Sequence, residues 1–200
     1  IAGAVESRKR EFADGRLCAR RALAQIGLPP SAIPTAADGS PVWPPGVVGS
    51  ITHKGRYRAA AVAWAVDLPG LGIDAELNDE LPAGVLGIIA GTGELEQVER
   101  LLAARPEVRW DRLLFSVKEA VMKALQPLSR ELPGLRESTV RFDAASDSFT
   151  ATPPSDATLP GSAAALVTGR WLIRPEMLIV AAEVSPGNQL HAAATPTSRC

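Results

Sequence analysis

Apolar positions recur at helical spacing from Ser7 to Ile26, where Phe12, Cys18, Ala22, Leu23 and Ile26 are available to one face before Gly27 and Pro29-Pro30 end the run. The pattern predicts an amphipathic helix. Residues 29–46 carry Pro34, Asp38-Gly39, Pro41 and Pro44-Pro45 as well, and this punctuation predicts an ordered loop rather than a long regular element. Val47 to Ile51 and Arg58 to Val66 then read as two strands joined through Thr52-His53-Lys54-Gly55, with Leu71 to Leu77 as a third, so a small antiparallel sheet is expected from the three.

Beyond Asn78 a glycine-rich apolar stretch leads to a charged helix around Glu94 to Ala104, and then to a second helix from about Trp110 to Leu125 that Pro127 stops. In the second, Leu114, Val117, Val121 and Leu125 stand three and four apart as a core stripe, which leaves Phe115, Glu119, Met122 and Lys123 on an adjoining face. Two hairpins are predicted, Thr139 to Ala151 turning at Ala144 to Asp147, and Arg170 to Val184 turning at Arg174-Pro175-Glu176. Residues 187–200 are expected to be a disordered tail. A helix and three strands followed by helices and strands suggests two related halves, although no internal sequence repeat accompanies it.

At 200 residues and 21.0 kDa the chain accommodates one domain or two small, closely packed halves. Its 46% hydrophobic and 22% charged residues are a globular composition. The longest apolar runs, such as Ala59 to Val66, fall far short of the ~18 residues a membrane span requires. Twenty-one basic against 22 acidic side chains leave a net charge of -1, so no global field recruits nucleic acid or anionic lipid, and any anion site must be local. Two cysteines, Cys18 and Cys200, make neither a disulfide framework nor a zinc cluster, which reads as a cytoplasmic chain. The sequence begins with Ile1 and no basic-then-apolar leader follows, so it is read as a fragment or processed chain rather than an exported one.

Three clusters carry candidate chemistry. In Leu71-Gly72-Ile73-Asp74-Ala75-Glu76 the strand period of two puts both carboxylates on one face. Such a pair is tolerable if solvated, if one member is protonated, or if a hard divalent cation such as Mg²⁺ bridges it; taken alone, it describes a strand end facing water. In Phe115-Ser116-Val117-Lys118-Glu119-Ala120-Val121-Met122-Lys123, Glu119 and Lys123 share a helix face at the spacing of an ordinary surface ion pair. Yet Lys118 and Lys123 are two of only four lysines, and the apolar Phe115 and Met122 flank them, which suggests a partly buried face. In Val48-Gly49-Ser50-Ile51-Thr52-His53 a strand runs into hydroxyls and one of two histidines, with Gly49 and Gly55 allowing a ligand close to the backbone. A lone histidine is otherwise most often structural. Finally, Arg8, Lys9, Arg10, Arg16, Arg20 and Arg21 concentrate positive charge on the first helix, where solvation explains most of them and one or two guanidiniums remain to fork a phosphate.

Taken together and in order, G-S-I-T-H at 49–53, G-I-D-A-E at 72–76 and F-S-V-K-E-A-V-M-K at 115–123 resemble the three signature motifs of 4'-phosphopantetheinyl transferases of the Sfp/EntD type. The likeness extends to R-K-R-E-F-A-D-G-R-L-C-A-R at 8–20 and P-V-W-P-P-G-V-V at 41–48, and so spans most of the chain to about Val184. That resemblance implies an α+β fold of two pseudo-symmetric α/β halves, each with a small antiparallel sheet and packed helices. Residues 1–70 would form the N-terminal half with the CoA-binding helix and first sheet, and 71–186 the C-terminal half with the metal site and catalytic helix. Coenzyme A would lie in the cleft between them, in a monomer acting as a pseudo-dimer.

The implied activity moves the phosphopantetheine arm of coenzyme A onto a serine of an apo acyl or peptidyl carrier protein, in fatty-acid, polyketide, nonribosomal peptide or siderophore synthesis, releasing adenosine 3',5'-bisphosphate. By resemblance Asp74, Glu76 and Glu119 would hold Mg²⁺ on the diphosphate, and Glu119 would be the general base for the incoming serine. Lys118 and Lys123 would pair with phosphate oxygens of CoA. Thr52 and His53 would contact the CoA phosphates, and Arg8 and Arg16 the nucleotide's 3'-phosphate. Three features depart from the family's pattern. Phe115 stands where many members carry Trp, Lys54 follows the histidine where small residues are frequent, and Asp38-Gly39-Ser40-Pro41 lies where a basic residue often contacts the nucleotide. Relatives also begin with a further segment that includes an edge strand, so a sheet edge is expected to be left unpaired here. Two other classes share these residues: a different Mg²⁺-dependent phosphodiesterase, and a non-catalytic module binding CoA or a carrier protein. Net charge and the scarcity of aromatics speak against a nucleic-acid substrate.

Overall fold

The computed structural model describes residues 6–129, 134–153 and 166–185. Helix α1 (Glu6–Gln25) leads through the proline-rich loop to a hairpin of β1 (Val47–Lys54) and β2 (Tyr57–Trp64), and β3 (Gly70–Leu77) follows. Three helices come next, the short α2 (Val85–Ile89), α3 (Thr92–Ala104) and α4 (Trp110–Leu125). Two hairpins complete the chain, β4 (Thr139–Asp143) with β5 (Ser148–Thr152), and β6 (Val167–Arg174) with β7 (Met177–Val184). This is the α+β class expected, with two antiparallel sheets and packed helices. The tail expected to be disordered, 187–200, lies outside the described residues.

The strands do not group as the sequence pattern suggests. β1 and β2 form a sheet of their own, while β3 joins the other four in the order β3-β7-β6-β5-β4. β3 pairs with β7 from Gly70↔Val184 to Leu77↔Met177, a partnership across residues 78–176 that no local pattern reveals. The opposite edge of β3 is bonded by side chains of β1. Ser50 Oγ accepts from Ile73 N at 3.0 Å and Thr52 Oγ1 accepts from Ala75 N at 3.1 Å, so two hydroxyls do what a main-chain ladder would do. β1 also runs three residues further than its apolar pattern, to Lys54, and turns on Gly55 and Arg56 with Gly55 at a φ of 54°.

The larger core lies between α3, α4 and the five-stranded sheet. Trp110, Phe142 and Trp171 meet edge to face there, with centroids 5.3 to 5.7 Å apart. A smaller core gathers Ala19 and Leu23 of α1, Ile33 and Val47. α4 packs directly across β3 because Gly70 and Gly72 lack a Cβ; one added there would run into the carbonyls of Ala124 and Ala120. The same strand parity that presents these glycines to α4 presents Asp74 and Glu76 to it two and four residues on. Among the described residues no helix is long and apolar enough to cross a membrane.

Candidate active site

Asp74 and Glu76 are both buried, with 6% and 8% of their surface exposed, and donors from β1 and α4 meet them. Asp74 Oδ1 accepts from Lys123 Nζ at 2.7 Å and from Thr52 Oγ1 at 3.3 Å, and its Oδ2 accepts from Ser116 Oγ at 2.8 Å. Glu76 Oε2 lies 2.6 Å from Lys54 Nζ and 3.4 Å from Arg112 Nη1. Arg112, Ser116, Glu119 and Lys123 follow at intervals of four, three and four on α4, so one helix face supplies all of them. Glycine at 70 and 72 brings that face close enough to touch the acids.

Glu119 sits half-buried on this face. Burial pushes its carboxyl above the ordinary carboxylate range, Asp74 and Glu76 push the same way, and Lys123 opposes them. The acids expected together are therefore electrostatic neighbours. Among the described residues no three acidic or imidazole side chains stand together as a ready-made ion site. Their chemistry nonetheless suits Mg²⁺: Asp74, Glu76 and Glu119 offer hard oxygen donors, and the repulsion felt by Glu119 is of the kind a divalent cation relieves.

Lys118 stands elsewhere than expected. One residue from Glu119 is a rotation of about 100° around a helix, which turns Lys118 away from the acids and into the core. Its Nζ donates to Glu94 Oε2 at 2.9 Å and to the Ser138 carbonyl at 2.8 Å, and only 1% of the residue is exposed. Burial lowers its pKa and the Glu94 carboxylate resists that shift. Glu94 also accepts from the main-chain N–H groups of Gly91 and Val140, each at 2.8 Å, so the pair ties α3, α4 and β4 together.

Thr52 and His53, expected to act together on phosphates, face opposite sides of β1 as strand alternation dictates. Thr52 is buried against Asp74 and Ala75. His53 lines a cavity of about 670 Å³ between α1, the 35–43 loop, β1 and the end of α4. Arg8, Arg16 and Lys123 line the same cavity, so it meets the acid cluster at Lys123. Arg16 is fixed in place: its Nε donates to the Ile33 carbonyl at 3.0 Å, its Nη2 to Thr35 Oγ1 at 3.2 Å, and its guanidinium lies 4.5 Å over the Phe12 ring. Burial lowers the Arg16 pKa, which leaves a guanidinium charged at neutral pH. Asp38 Oδ2 accepts from Gln126 Nε2 at 3.0 Å and joins the loop to the end of α4.

Sequence reasoning passed over Ser116 and Arg112, and marked Lys54 only as a departure from the family's pattern that could add a phosphate contact, not as a partner of Glu76. Ser116 and Arg112 carry the helical spacing to Glu119 that would have marked them. Lys54 shares the parity of Ser50 and Thr52, a signal hidden while β1 was ended at Ile51.

A family model for the 4'-phosphopantetheinyl transferase N-terminal domain matches residues 1–63, and one for the 4'-phosphopantetheinyl transferase superfamily matches residues 70–166. The chain is 48% identical over 151 residues to the 4'-phosphopantetheinyl transferase Svp of Streptomyces mobaraensis, an alignment covering 76% of this chain and 61% of that protein. It is 42% identical over 190 residues to the 4'-phosphopantetheinyl transferase Npt of Nocardia iowensis, covering 90% of this chain and 84% of that one. Identity to the 4'-phosphopantetheinyl transferase PptT of Mycobacterium tuberculosis is 38% over 186 residues, covering 90% and 81%. With family models matched over residues 1–63 and 70–166 and a relative 42% identical over most of both chains, the chain belongs to the 4'-phosphopantetheinyl transferase superfamily.

Proposed function

We propose that this protein transfers the 4'-phosphopantetheine group of coenzyme A to a serine of an apo acyl or peptidyl carrier protein, with adenosine 3',5'-bisphosphate as the other product. The observation that carries the reading is the meeting of Asp74, Lys123 and the field-coupled Glu119 at the border of the cavity. The cavity volume of about 670 Å³ falls in the range that cofactor-sized ligands occupy.

In this reading the cavity receives the nucleotide end of CoA, with Arg8 and Arg16 facing its 3'-phosphate and His53 and Lys123 its diphosphate. Glu119 takes the proton of the carrier serine as the serine oxygen bonds to the phosphorus that bears the pantetheine arm. The bond from that phosphorus to the bridging oxygen breaks, and the adenylate side leaves with the electron pair. Lys123 stabilises the charge that builds there. Asp74, Glu76 and Glu119 would hold Mg²⁺, which supplies charge neutralisation on the diphosphate. Lys118 acts from below by fixing the rotation of α4 through Glu94, rather than by touching phosphate.

The test is to incubate the protein with CoA, Mg²⁺ and an apo carrier protein and to weigh the carrier. A gain of one phosphopantetheine group supports transfer. Cleavage of CoA without a gain points to a different phosphodiesterase, and binding without either reaction to a non-catalytic module.

A further inference from the structure

Glu76, one of the proposed ion ligands, is held by a lysine in a way the three motifs do not explain. Lys54 Nζ stands 2.6 Å from Glu76 Oε2, with one third of the lysine side chain and one tenth of the glutamate exposed. Its placement follows from the fold. Ser50, Thr52 and Lys54 share one side of β1; the first two are bonded to β3 at Ile73 and Ala75, which brings the third opposite the end of β3 where Glu76 lies. The hairpin turn at Gly55 fixes where the lysine leaves the backbone.

We infer that Lys54 is a tethered cation that competes with the divalent ion for Glu76, so that ion binding to the free protein requires this ammonium to leave the carboxylate. An ammonium and a metal ion cannot use the same carboxylate oxygen at bonding distance without strong repulsion between them. Arg112, at 3.4 Å and bonded also to the carbonyls of Asp79 and Glu80, is anchored elsewhere and remains beside Glu76 when Lys54 moves. The Lys54 ammonium has no other partner among the described residues, which makes it the displaceable one. The inference rests on the proposed Mg²⁺ site.

The experiment measures Mn²⁺ binding to the free protein from the loss of its free-ion paramagnetic resonance signal, for wild type, Lys54→Met and Arg56→Met. Arg56→Met removes the same charge from the exposed turn next door without touching Glu76. Circular dichroism confirms that each variant is folded. Lys54→Met should tighten Mn²⁺ binding by about fivefold, the upper end for a partly exposed pair, with Arg56→Met close to wild type. Unchanged or weaker binding in Lys54→Met, an equal gain in both variants, or no Mn²⁺ binding in any of the three overturns the inference. Carrier loading by the wild type is scored separately: loading together with any of those outcomes refutes the role of Lys54 alone, whereas absence of loading refutes the transferase reading beneath it.

Discussion

Lys123, in the last turn of α4, donates to Asp74 in the middle of β3 at 2.7 Å, 49 positions earlier in the chain. It also lines the cavity, so one ammonium joins the acid cluster to the space proposed for CoA. Replacing it by Met should lower the rate of carrier loading about a hundredfold or more, as loss of a donor to developing charge commonly does. The thermal midpoint should change little, because the Lys123 side chain is 29% exposed, unlike that of Lys118, and Asp74 keeps Ser116 and Thr52. Single-turnover loading and calorimetry check the two halves of this expectation.

Much of the fold was legible because its signals are local. The apolar stripe of α4, the two C-terminal hairpins and the turn residues between their strands appear where the periodicity puts them. The partnership of β3 was not legible, since pairing with β7 depends on contacts far apart in sequence and a strand buried on both faces carries no alternation. α2 escaped because five residues give no measurable period. At the site, spacing and resemblance single out the acids and Lys123, and the structure brings these side chains near one another. Lys118 was assigned from a motif that orders residues along the chain without saying which side of the helix each takes.

The pair Lys118–Glu94 gives a stability prediction. Removing the lysine leaves a carboxylate that is 4% exposed without its counter-ion. Lys118→Met should cost about 3 kcal/mol in denaturant unfolding, the lower end for breaking a buried pair, and more than Lys123→Met. Equal costs for the two would contradict the separate places assigned to them.

Gly72 offers a second test of packing. A methyl group there meets the Ala120 carbonyl, and neither backbone can yield without moving α4 off β3. Gly72→Ala should destabilise the protein by about 3 kcal/mol, the severe end of overpacking. It should also slow loading out of proportion to the folded fraction, because Asp74 and Lys123 separate with the two elements.

Arg8 is exposed and lines the cavity. If it meets a phosphate of CoA, Arg8→Met should raise KM for CoA about tenfold, as loss of a charge-assisted hydrogen bond does, with kcat nearly unchanged. Steady-state kinetics at two salt concentrations would show the wild-type KM rising with salt more steeply than that of the variant.

The intact mass of a carrier protein loaded by the Glu119→Gln variant bears most directly on the central claim, that this half-buried carboxylate accepts the serine proton beside Asp74 and Glu76. Glutamine keeps the shape and removes the base, so the variant should stay folded and bind CoA. Its carrier should gain no phosphopantetheine in the time the wild type needs to finish. Loading by Glu119→Gln at the wild-type rate would contradict the account.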